Sequence, residues 1–126
     1  MNRWIAAPLA ALLLAGCGGG IYLDFVDDDP PSVSIAAGSD VAAPGETVAL
    51  SAGASDDDYV YAVEFFRVDP NGNTTYLGTD GGAPFQWSTQ MPALAAGSQV
   101  RFYARATDSI GQQTDSASVT VTVVVH

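Results

Sequence analysis

The sequence predicts an all-β protein, a sandwich of about seven antiparallel strands with no disulfide. Three observations point to it. After residue 31, apolar and polar residues alternate with period two, the mark of strands with one buried face. Turn-forming residues punctuate these runs at short intervals. No stretch of that region keeps a helical period over a useful length.

The elements follow in order. A first strand is expected over 32–36, after which Ala43-Pro44-Gly45 turns the chain. Residues 47–52 alternate, with Val48, Leu50 and Ala52 sharing one face. Asp56-Asp57-Asp58 is a loop. A third strand runs from Val60 to Val68, placing Val63 and Phe65 on one face and Glu64 and Phe66 on the other. Asp69-Pro70-Asn71-Gly72-Asn73 is a hairpin turn, because Asn-Gly tolerates positive φ. The chain returns over 74–79, turns at Gly81-Gly82 and forms a fifth strand over 84–89. That strand carries Trp87, read as a core aromatic. A loop with Pro92 and Gly97 leads to 99–107. There Val100, Phe102, Ala104 and Ala106 face one way, and Arg101, Tyr103, Arg105 and Thr107 the other. Ser109-Ile110-Gly111 turns into a β-branched last strand over 117–125.

The segment before this domain has a different character. Met1-Asn2-Arg3 supplies one positive charge, and residues 5–14 are apolar apart from the break at Pro8. That run is the length of a signal-peptide core and shorter than the roughly 20 residues a helical span needs. It ends in Leu14-Ala15-Gly16-Cys17. This tetrapeptide resembles the bacterial lipobox, residue for residue. The resemblance implies cleavage before Cys17, a diacylglyceryl group on its thiol and acylation of the new amine, which together anchor a chain stably where one acyl chain would not. Gly18 occupies the position where an aspartate tends to hold such proteins at the inner membrane, so the resemblance leans to the outer membrane of a bacterial cell envelope. Residues 1–16 are thus expected to be a signal peptide, 17–30 a lipidated N-terminus with a flexible acidic tether, and 31–126 the folded domain. In the tether, Asp27-Asp28-Asp29 reads as a solvated spacer, and Pro30-Pro31 enforces extended backbone.

Composition narrows the function. The chain has 126 residues, 14 of them acidic and four basic, for a net charge of −10; loss of Arg3 with the leader would make it −11. That sign repels phosphate backbones, so nucleic-acid binding is not expected. Every basic residue is arginine, so no lysine nucleophile or Schiff base can form. The one histidine is the terminal His126, and the one cysteine is Cys17. No nucleophile–histidine pair or intrachain disulfide can be built from them.

Within the domain, a second resemblance is carried by Val63-Glu64-Phe65-Phe66, Tyr76-Leu77-Gly78-Thr79-Asp80, Ala83-Pro84-Phe85, Leu94-Ala95-Ala96-Gly97-Ser98 and Ala104-Arg105-Ala106-Thr107-Asp108-Ser109-Ile110-Gly111. In that order they resemble the bacterial Ig-like domain family, over about residues 31–125. The resemblance implies an immunoglobulin-type sandwich without the inter-sheet disulfide. It also implies a spacer, stalk or binding module and no catalysis. The Pro70-Asn71-Gly72-Asn73 hairpin is longer than the family's usual one.

Strand parity adds two candidate sites. If strands alternate direction, one pole collects Asp27, Asp28, Asp29, Asp56, Asp57, Asp58, Asp80, Asp108 and Asp115, where the tether also enters. The pole is either a solvated acidic surface or a calcium site with Asp56, Asp58 and Asp108 as ligands. Calcium is a hard ion taking about six to eight oxygens, but the chain has no D-x-D-x-D-G loop. The second candidate is the outward face of the third and sixth strands. It would gather Phe66, Arg67, Arg101, Tyr103 and Arg105, a composition shared by interface hot spots and sugar-stacking platforms. Ordinary cross-strand pairing accounts for the same residues. The expected function is therefore a membrane-anchored envelope lipoprotein whose Ig-like domain is a structural or protein-interaction module. The alternative is a ligand-binding module for carbohydrate or calcium. No other cofactor is expected.

Overall fold

The computed structural model describes residues 29–57 and 59–125. The leader, Cys17, Asp27, Asp28 and Asp58 lie outside the described residues. Nine strands are present among the described residues: β1 (Ser32–Ala37), β2 (Val41–Ala42), β3 (Thr47–Ser55), β4 (Val60–Val68), β5 (Thr74–Asp80), β6 (Phe85–Gln90), β7 (Gln99–Asp108), β8 (Gln113–Asp115) and β9 (Val119–Val123). They form a two-sheet immunoglobulin-like sandwich. One sheet has the order β1-β3-β6; the other runs β2-β9-β7-β4-β5, with β8 also paired to β7.

The period-two pattern decides the core. On β7, Val100, Phe102, Ala104 and Ala106 are fully buried, as are Val63 and Phe65 on β4 and Val121 on β9. Val48, Leu50 and Phe85 close on them from the other sheet. Full burial of Phe65 and of Phe102 stabilises the fold by roughly 1.5–3 kcal/mol each relative to exposure. The small side chains of Ala104 and Ala106 let β1 cross close to β7.

All seven expected strands are found, with two short additions. After β1 the chain crosses to the opposite sheet, where β2 pairs parallel to β9 (Val41 with Thr122, Ala42 with Val123), the one parallel pairing among the described residues. The last strand, β9, is shorter than the expected 117–125, and the unexpected β8 precedes it across a break at Ser116. The Ser116 amide donates to Ala104 O (2.8 Å), and its Oγ accepts from Ala104 N (2.9 Å) and donates to Ala117 O (2.8 Å). This side chain takes the place of a ladder partner in the gap between β8 and β9.

Turn chemistry is as the residues require. Gly45 has φ +81°, following Pro44 in a turn closed by Glu46 N to Ala43 O (3.0 Å). Gly72 has φ +90° in the β4–β5 hairpin, which Gly72 N to Asp69 O (2.8 Å) and Asp69 N to Asn73 O (2.9 Å) hold shut.

Candidate functional site

The outer face of the larger sheet carries a row of aromatics. Antiparallel register sets Phe66 of β4 opposite Tyr76 of β5 and Tyr103 of β7. Cross-strand partners share a face, so the three rings form one band across three strands. Phe66 and Tyr103 stack with centroids 4.9 Å apart and planes at 11°; Tyr76 meets Phe66 at 5.7 Å and 59°. Tyr76 is 54% exposed, and its hydroxyl hydrogen-bonds to Thr79 Oγ1. Arg105, two residues along β7, lays its guanidinium over Phe66 at 4.9 Å from the ring centroid. Asp115 of β8 fixes it there: Nε donates to Oδ1 at 2.7 Å and Nη2 to Oδ2 at 3.2 Å. That hydrogen-bonded carboxylate holds the Arg105 guanidinium protonated beyond its ordinary range.

Phe66, Arg101, Tyr103 and Arg105 therefore share this face, as their parity requires. Arg67 does not. It pairs in register with Phe102, whose side chain is in the core, so it points to the opposite side of β4. Its guanidinium is occupied by Asp69, with Nε to Oδ1 at 2.9 Å. The same alternation that put Phe66 outward excludes its neighbour. Tyr76 was missed by sequence reasoning for a different reason. The β4–β5 register jumps from Phe65–Gly78 to Phe66–Tyr76, so a bulge at Leu77 brings Tyr76 opposite Phe66. No local residue pattern announces that skip.

The described aspartates of the expected acidic pole do different work. Asp80, at the end of β5, accepts Gly82 N on Oδ1 (3.1 Å) and Gln86 N on Oδ2 (2.9 Å), bracing the crossover into β6. The backbone N–H of Gln86, then that of Gly82, hold its carboxyl below the usual aspartate range. Asp108 is 2% exposed and caps the following turn: its Oδ1 accepts from Ile110 N (3.0 Å) and Gln112 N (2.8 Å). The second carboxylate oxygens of Asp108 and Asp56 are buried with no hydrogen-bond partner among the described residues. A cleft of about 340 Å³, lined by Ser55, Asp56, Tyr59 and Gly82 among others, opens beside Asp56. No group of three or more His, Cys, Asp or Glu side chains arranged to hold a metal occurs among the described residues.

Trp87 is a sealing residue of the core. It is half-buried, stacked on Phe65 at 6.3 Å and 24°, and lies against Gly78 of the facing sheet.

With this geometry in place, comparison with known proteins gives a consistent class. The bacterial Ig domain family matches residues 31–123. The chain belongs to that family. Among solved structures it is similar to the fibronectin(III)-like modules of CbhA from Clostridium thermocellum, with a TM-score of 0.59 and 24% identity over 75% of this chain and 98% of that one. It also matches the sporulation control protein Spo0M from Bacillus subtilis (TM-score 0.47, 14% identity, 78% of this chain and 51% of that one). A third match is the PKD domain of an M14-like peptidase from Thermoplasmatales archaeon SCGC AB-540-F20 (TM-score 0.47, 15% identity, 79% and 98%). The likeness to the CbhA modules extends to the fold. None of the curated proteins matches the chain. An Ig domain of this kind points to a structural or interaction module.

Proposed function

We propose that this chain is a lipid-anchored lipoprotein of the bacterial cell envelope, held through Cys17, whose Ig domain is a non-catalytic protein-interaction module. The observation that carries the proposal is Leu14-Ala15-Gly16-Cys17 closing an apolar leader a short acidic tether ahead of an Ig domain. Gly18 directs the anchor to the outer membrane. The partner surface is the band of Tyr76, Phe66 and Tyr103 flanked by Arg101 and Arg105. It combines rigid aromatic area with oriented cations, the composition that carries binding energy at interfaces.

Arg105 supports a protein partner over a sugar. Its guanidinium covers one face of Phe66, which removes that face from stacking against a sugar ring. The exposure of Tyr76 at the sheet edge supports carbohydrate binding as a second reading. Photo-crosslinking in native cells tests the proposal. A crosslinker replacing Tyr76 or Arg101 should capture a protein, and one replacing Gln86, exposed on the opposite sheet, should not. Capture from Gln86 alone would contradict the assignment. Binding to a glycan array that is lost in Tyr76→Ala would favour the carbohydrate reading.

A further inference from the structure

We infer that Asp56 and Asp108 form a calcium site that closes one end of the sandwich. The inference does not depend on the anchor or on the aromatic face.

Both aspartates end an inward-facing stripe. On β7 the buried series Val100, Phe102, Ala104, Ala106 continues to Asp108. On β3 the series Val48, Leu50, Ala52, Ala54 continues with the same alternation to Asp56. The two stripes belong to opposite sheets and reach the same pole. Asp108 pairs with Val60, the first residue of β4, and Ser109 N donates to Tyr59 O at 3.1 Å. Residue 59 closes the short loop that leaves β3 at Asp56. Packed sheets lie about 10 Å apart. A cation with Ca–O distances of about 2.3–2.6 Å, held by one carboxylate from each sheet, would span such a gap.

Each aspartate leaves one buried carboxylate oxygen without a hydrogen-bond donor. Asp108 is 98% buried, and only its Oδ1 is used by the turn it caps. A buried carboxylate is costly unless a cation compensates it. The described residues do not supply one. Among the described residues the cationic side chains are Arg67, Arg101 and Arg105. Arg67 is paired with Asp69, Arg105 with Asp115, and Arg101 sits near the far end of β7 from Asp108. Lysine is absent from the sequence. A hard divalent cation held by two carboxylates, with backbone carbonyls and water completing six to eight oxygens, meets the need.

The experiment compares thermal unfolding of the full chain in calcium and in chelator. The variants are Asp56→Asn and Asp108→Asn. Asn at 108 keeps an oxygen to accept from Ile110 and Gln112 while removing the charge, so turn capping and cation binding separate. In the wild type, calcium at a hundredfold excess over its Kd should raise Tm by about 10 °C or more. Each variant should lose most of that shift, and magnesium, which demands tighter octahedral geometry, should give a smaller one. An identical wild-type Tm in calcium and chelator would overturn the inference. So would a calcium shift retained in full by either variant that folds.

Discussion

The indole of Trp87 on β6 lies against the backbone of Gly78 on β5, in the space a side chain at 78 would need. A Cβ there would overlap the six-membered ring, and even Cε2 would be only 2.7 Å away. β5 and β6 edge opposite sheets and share no ladder. Trp87 therefore closes the open side of the sandwich, and Gly78 is buried beneath it. Gly78→Ala should destabilise the domain by about 1–3 kcal/mol through overpacking. Combining it with Trp87→Leu should cost less than the two changes summed, because the smaller side chain relieves the clash. Urea unfolding midpoints would show both effects.

Ser116 gives a second prediction. Its Oγ is the acceptor for the amide of Ala104, a residue with no exposed surface. Ser116→Ala should cost about 1–3 kcal/mol by leaving a buried N–H unpaired. Hydrogen exchange at the Ala104 amide should quicken well before neighbouring β7 amides change.

Asp80 makes stability depend on acid. Its folded carboxyl titrates below the ordinary value of 3.8, because the amides of Gln86 and Gly82 hydrogen-bond the ionised form. The unfolded chain therefore takes up that proton first as pH falls. The stabilisation is complete above the unfolded value and fades as pH drops through the lower folded one. Asp80→Asn should be less stable than wild type near neutral pH, and the gap between their urea midpoints should narrow below about pH 4. A gap independent of pH would show that the carboxylate charge contributes nothing.

On the aromatic face, stability and binding should separate. The Arg105–Asp115 pair is partly exposed, at 32% and 47% for its side chains. A double-mutant cycle should give about 0.2–1 kcal/mol of coupling, diminished by salt. Tyr76→Ala, at the exposed end of the band, should change stability by less than about 1 kcal/mol while removing crosslinking to the partner.

The alternation of residues made the seven principal strands and the core face of β7 legible in the sequence. It did not reveal β2 or β8, because strands of two and three residues carry no period. They exist only once β9 and β7 are in place to pair with them. The aromatic face was half legible. Parity alone placed Phe66, Tyr103, Arg101 and Arg105 together, and applied consistently it also turns Arg67 inward. Tyr76 joins the band through a bulge that depends on tertiary register. Asp56 and Asp108 were visible as acidic loop-edge residues. Their burial was less visible, because a charged side chain at the end of an apolar stripe reads as the start of a loop until the facing sheet covers it.

The central claim is that this Ig domain is tethered to a membrane through Cys17. Metabolic labelling with a fatty acid, followed by fractionation, tests it most directly. The account predicts that the wild-type chain is labelled and sediments with membranes, and that Cys17→Ala is unlabelled. Undiminished labelling of Cys17→Ala, or an unlabelled wild type in the soluble fraction, would contradict it.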